Sequence, residues 1–460
     1  MSNTDQAAND VTSVPLHRWL RRIVSVEPGE ILGVFWAFSY FFSLLCSYYI
    51  VRPIRDEMGI AGGVENLQWL FTGTFLAMLA IIPLFGWISS RYPRQKFLPY
   101  VYLFFIINLL LFFMLFQSDI THAYIARTFF IWVSVFNLFV VSVFWSFMAD
   151  IFSNKQAMRL FGFIAAGGSS GALFGPLLTT SLVGSLGTDN LLVLSALFLC
   201  WALLCIKQLD RWQATQSGND HETASARKPD TTADTDKLPM GGGIFEGVRL
   251  VFNSPYLLGI CIVILFYTTL STFLYFQQAQ IIRDNFSDPA TRTSIFAGMD
   301  LAVNMLTLLF QIFVTGRIVR IFGIAMTLAI IPVLLCFGFL SIWYAPLLFT
   351  IVGVQVIRRA GNYAIMKPVR EMLYVVLGKQ EKYKAKNFID TSVYRGGDAI
   401  SAWAYTGLRE GLDLGLSGIA LIAVPLSAIW AWVAFKLGKQ QQQKALQMSD
   451  RTPGLEHGHV

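Results

Sequence analysis

Long apolar runs recur along this chain, and they constrain its fold more than any other feature. A helix that spans a bilayer needs roughly 20 apolar residues, and by that measure about twelve stretches qualify. They are residues 31–51, 67–89, 98–116, 126–148, 160–183 and 191–206, then 256–280, 294–316, 324–343, 347–366, 388–408 and 416–437. Hydrocarbon offers no water to unpaired backbone groups, so unbroken runs of this kind can only be helices. Composition agrees: 55% of residues are hydrophobic and 14% charged, against about 25% charged in an ordinary soluble chain.

Residues 213–243 interrupt the runs. They hold Ser, Thr, Asp, Lys and Gly and almost nothing apolar, which predicts a flexible linker between six spans and six spans. The expected organisation is a cytoplasmic segment 1–30 and a six-helix bundle 31–208. A cytoplasmic linker 209–255, a second six-helix bundle 256–437 and a cytoplasmic tail 438–460 follow. Within the first segment, Leu16, Trp19, Leu20 and Ile23 alternate with His17, Arg18, Arg21 and Arg22, the pattern of an amphipathic helix on a membrane surface. Lys and Arg concentrate after even-numbered spans, as with Arg91, Arg94, Lys155, Arg159, Arg317, Arg320 and a basic loop from Lys379 to Lys386. The positive-inside rule then places both termini in the cytoplasm, for a multi-pass protein of a bacterial inner membrane. On the same grounds the net charge of +7 reflects basic loops, and no nucleic-acid partner is expected.

The five cysteines lie in apolar runs without CxxC or Cys/His spacing, so they read as small hydrophobes. No metal, cofactor or enzymatic constellation is predicted; there is no HExxH and no nucleophile elbow. The glycines of residues 167–171 lack a Lys-Ser/Thr ending and sit inside a span, which points to close helix packing rather than a phosphate loop.

Charge inside the membrane is the functional signal, because it is costly without partners or a wet cavity. The first span closes on Arg52, Pro53, Arg55, Asp56, Glu57 and Met58; a near-copy downstream reads Lys367, Pro368, Arg370, Glu371 and Met372. The tenth span places Arg359, Tyr363 and Lys367 at i, i+4 and i+8, one helix face. Arg358 points about 100° away from that face. The eighth span aligns Asp300, Asn304, Thr307 and Gln311; the eleventh aligns Asp390, Tyr394 and Asp398, with Arg395 beside them. Two readings stand together: arginines paired with Asp300, Asp390 or Asp398 to hold helices, and a basic cavity that grips an anion through planar guanidinium forks.

Taken together these motifs resemble the bacterial and plastid ATP/ADP translocases, a nucleotide-transporter family that looks like a distant branch of the major facilitator superfamily. The resemblance rests on Arg52 to Asp56, on Phe144 to Asp150 ahead of Gln156 to Arg159, on Arg370 to Tyr374, on Lys384 to Asp390 and on Arg395 to Gly397. Where that family has glutamates in its fourth and seventh spans, this chain has Asn137 and Tyr275. The stretch after Gly86 is similar to the superfamily's signature loop, with Ser90 at the usual Asp. The resemblance implies an all-α integral membrane fold of about twelve helices in two bundles, working by alternating access. The expected substrate is a small anionic solute, bound by Arg52, Arg55, Arg359, Lys367, Tyr363, Asn137 and Arg395. Asp56, Asp300, Asp390, Asp398 and Glu371 are the candidates for coupling or gating. The expected partners are that solute and the lipid bilayer, with no obligate protein partner. A proton-coupled exporter and a non-transporting receptor or assembly subunit are the rival expectations.

Overall fold

The computed structural model describes residues 26–91, 94–118, 122–223 and 246–450, and every regular element among them is helical. The N-terminal amphipathic helix expected around Trp19 and residues 224–245 of the expected linker lie outside the described residues. The helices are α1 (Ile31–Ala61), α2 (Leu67–Arg91), α3 (Arg94–Phe116), α4 (His122–Ile151), α5 (Asn154–Thr223), α6 (Glu246–Asn253) and α7 (Pro255–Asn285). Then come α8 (Pro289–Phe313), α9 (Thr315–Tyr344), α10 (Leu348–Gly361), α11 (Lys367–Met372), α12 (Lys379–Phe388), α13 (Tyr394–Thr406) and α14 (Leu416–Asp450).

Nine helices among the described residues are long and apolar enough to cross a bilayer. One of them, in α5, turns at Gly187, where φ is 79°, and so makes two crossings. The rods α10–α11 and α12–α13 carry charge in mid-length and complete the expected dozen.

Three local departures from the sequence reading have physical causes. Helix α5 runs to Thr223, past the expected start of the linker, and α6 lies within the expected linker. Trp212 holds the extension down: its ring covers Gly33 and its Nε1 donates to the Gly29 carbonyl at 2.9 Å. The stretch after Lys379, expected as a loop, is helix α12, in keeping with its Lys, Gln, Glu and Ala content. Third, a π-turn at Asn362–Met366 joins α10 to α11, so the stripe of Arg359, Tyr363 and Lys367 is not straight. A π-turn advances less than 100° per residue, which leaves Lys367 behind the face that Arg359 occupies. Two more π-turns, Ile389–Val393 and Gly407–Gly411, flank α13.

The chain divides into two compact units. The first holds residues up to Arg52, Leu84–Ser118 and Val133–Asp230. In it Tyr40 and Tyr102 share a hydrogen bond of 2.5 Å, and Phe41 stacks on Phe144 at 4.1 Å between centroids. Glu30 receives Arg159 at 2.8 Å and ties the start of α1 to α5. Gly167, Gly171 and Gly175 recur every four residues on α5 and press against α1. A Cβ on Gly171 would collide with the Phe42 carbonyl, and one on Gly167 with that of Phe38. Helix packing thus accounts for this glycine run. Gly171→Val is expected to lower stability by at least about 1–3 kcal/mol, the usual cost of overpacking, read as a lower melting temperature in detergent.

The second unit holds Pro53–Pro83, Asp119–Trp132 and Thr231–Val460. It therefore contains one end each of α1, α2 and α4, packed with the C-terminal half of the sequence. Helices α9 and α14 lie along one another, with Gly438 directly against Ala325.

Candidate functional site

Helix α10 brings two consecutive arginines to the middle of the second unit. Arg359 turns toward α8, where its Nη2 donates to Asp300 Oδ1 at 2.5 Å. Arg359 is 8% exposed and Asp300 1%, so this is a buried ion pair. Arg358, one residue earlier, turns toward α7. Its Nε donates to Gln355 Oε1 at 2.8 Å, and its Nη1 to the Ser271 hydroxyl at 2.6 Å and the Tyr267 hydroxyl at 3.3 Å. Gln355 in turn donates to Gln278 Oε1 at 2.7 Å. The alternation follows from helix geometry: neighbours point about 100° apart, so one arginine meets a carboxylate and the other a neutral polar network.

Near the end of α1, Arg55 donates to Asp56 Oδ1 at 2.6 Å, and the Tyr275 hydroxyl donates to the same oxygen at 3.1 Å. The Arg55 guanidinium lies 5.1 Å from the Phe130 ring, and Phe71 packs on both Phe130 and Tyr275. At the next position Glu57 is fully buried, and Arg292 of α8 reaches its Oε1 at 3.4 Å. Arg283 of α7 pairs with Glu65. Arg292 also donates through Nε to the Phe286 carbonyl at 2.8 Å, which fixes the short connection between α7 and α8. In that connection Asp288 caps α8. The hydroxyl and backbone N–H of Thr291 hold its carboxyl below the usual carboxylate range. These contacts tie the end of α1 and the turn after it to α7 and α8.

Beyond the π-turn, Arg370 lies 3.6 Å from Asp390, and Lys386 pairs with Glu371. On α13, Arg395 lies 3.4 Å from Asp398 and over the Tyr394 ring.

The expected site residues therefore fall into separate groups. Arg359 with Asp300, Arg55 with Asp56, Arg370 with Asp390, and Arg395 with Asp398 are each in contact. Lys367 is exposed, and Tyr363 lies in the π-turn, where its carbonyl accepts from Gln311 at 3.5 Å. Arg52 and Asn137 belong to the first unit, with Arg52 5.7 Å from the Tyr49 ring.

Sequence reasoning singled out Glu57 but missed Glu65, Arg283 and Arg292, and so missed the two ion pairs. A signal was present: two arginines stand in a connection that should be poor in bases if it lies outside the cell. It also did not foresee that Tyr275, at a position where the resembled family has glutamate, bonds to Asp56.

The family model of the Major Facilitator Superfamily matches residues 31–369. ADP,ATP carrier protein 1 of Chlamydia trachomatis is 22% identical over 339 residues, and that of Chlamydia muridarum 23% identical over 337. Each match covers 65% of this chain and 61% of the relative, so the chain spans less than two thirds of their length. Among solved structures, the nucleoside transporter NupG has a TM-score of 0.63 at 11% identity, covering 88% of this chain and 99% of its own. A POT family transporter has a TM-score of 0.59 at 12% identity, covering 90% and 96%.

Proposed function

The chain belongs to the Major Facilitator Superfamily of membrane transporters, and from that premise we propose that it carries a small phosphorylated anion, nucleotide-like, by alternating access. The observation that carries the substrate class is Arg359, a guanidinium buried in α10 whose acidic partner is Asp300. An anion that takes the guanidinium fork in place of Asp300 exchanges one charge-assisted contact for another. That exchange lets substrate arrival open an ion pair between α8 and α10. Arg52, Arg55, Lys367, Tyr363, Asn137 and Arg395 are proposed to complete the binding surface. Asp56, Asp300, Asp390, Asp398 and Glu371 are proposed to gate or couple. The likeness to ADP,ATP carriers favours nucleotides among the anions. Under this reading the protein sits in a bacterial inner membrane with both termini cytoplasmic. The Glu57–Arg292 contact is proposed to close the outward end.

A thermal-shift screen of the purified protein in detergent tests the reading. A ligand present at 100 times its Kd stabilises the folded state by about 2.7 kcal/mol. Nucleotides or sugar phosphates are expected to raise the melting temperature of the native protein and to leave that of Arg359→Ala unchanged. Stabilisation confined to cationic or neutral compounds would reject the anion and favour a proton-coupled exporter.

A further inference from the structure

Arg358 is a buried cation without a carboxylate in contact. It is 5% exposed, and its hydrogen bonds go to Gln355, Ser271 and Tyr267, all neutral. Its Nη2 bonds to no described residue. Asp398 acts on it electrostatically, but that carboxylate is in contact with Arg395. A buried guanidinium whose hydrogen bonds all go to neutral groups is costly, whereas a glutamine or methionine would fill the same space without that cost. The arrangement calls for an anion.

A groove provides the place for one. It runs between α9 and α10, has a volume of about 280 Å³, and has Arg358 in its lining beside apolar walls from Leu334, Phe337 and Ile357. Those three side chains are 46%, 67% and 48% exposed, so in a spanning helix they face hydrocarbon rather than water. Gly338 lets the helices close at the groove's base, since a Cβ there would strike Val354. Arg358 is the eleventh residue of α10, about 15 Å along the helix and about half of a 30 Å hydrocarbon core. The groove's volume, just under the ~300 Å³ floor for small-molecule pockets, suits one short chain rather than the two of a phospholipid.

We propose that the groove between α9 and α10 binds a single-chain amphiphilic carboxylate from the bilayer, with the carboxylate on Arg358 and the chain along Leu334, Phe337 and Ile357. The site is distinct from the Arg359–Asp300 pair, which faces α8, and it does not depend on the transported solute.

The test uses the full chain in nanodiscs of phosphatidylcholine, with a photoactivatable diazirine-bearing dodecanoate and the matching dodecanol as probes. Crosslinked residues are mapped by mass spectrometry. The acid is expected to label α9 and α10. Losing a charge-assisted hydrogen bond weakens binding by about tenfold or more, so the alcohol and Arg358→Gln should each lose labelling on that scale. Ile357→Trp keeps Arg358 and fills the mouth of the groove, so it should also lose label; it reads out the site even if Arg358→Gln fails to fold. Equal labelling by acid and alcohol, or unchanged labelling in Ile357→Trp, would overturn the proposal.

Discussion

Replacing Asp300 by Ala is expected to destabilise the folded protein by about 3–5 kcal/mol, because it leaves Arg359 as an unpaired charge inside the protein. Arg359→Ala should also destabilise, since it takes from the buried Asp300 its ion pair with α10. Removing both charges together tests the pair as a unit. Asp300→Asn combined with Arg359→Gln keeps a hydrogen bond and removes both desolvation costs. Most of the lost stability should therefore return, and the two single effects should not add. Transport by the double variant in proteoliposomes should nevertheless remain absent, because the guanidinium fork is gone. Unfolding in detergent, followed by melting temperature, checks the first part. Additive losses would mean that the two side chains do not act on each other.

The second large effect is expected at the Glu57–Arg292 contact, proposed to hold the outward end shut. Arg292→Ala leaves Glu57, which is fully buried, without its cation. The cost again lies near 3–5 kcal/mol, but it falls on the sealed arrangement, which the protein can leave by opening. A shift of 1.4 kcal/mol already changes a two-state population about tenfold. The measurement is the rate at which a thiol reagent modifies Gln280→Cys in a background lacking the native cysteines. Gln280 is 8% exposed in α7 and lines a small pocket beside Glu65 and Arg283. The rate is expected to rise by about tenfold or more in Arg292→Ala. An unchanged rate would show that Glu57 and Arg292 do not hold this end shut.

Much of the fold is legible in the sequence because hydropathy and length act directly on where a chain can cross lipid. The spans, the break at Gly187 and the packing role of Gly167 and Gly171 follow from local composition. The eighth-span face is also legible, since Asp300 and Gln311 share a helix side and both meet the α10 rod. Pairings across the sequence are not. Glu57 and Arg292 stand 235 positions apart, and no periodicity links them. The π-turn at Asn362–Met366 was equally hidden. It has ordinary helix-forming residues, and tertiary packing decides whether a turn takes four residues or five. For the same reason, the sequence could say that Arg358 and Arg359 point apart but not which of them meets a carboxylate.

The second unit is assembled from distant parts of the chain, and that bears on how the protein is made. A polypeptide emerges at about 5–20 residues per second, so roughly 10–50 s separate the synthesis of Glu57 from that of Arg292. Over that interval α1, then α2 and α4 are made, before Asp56 gains Tyr275 and before Glu57 and Glu65 gain their arginines. The first unit, by contrast, ends at Asp230 and can pack while the rest is still being translated. Half-made chains thus carry Glu57 and Glu65 before the arginines that later pair with them exist, so this corner is completed only late in synthesis.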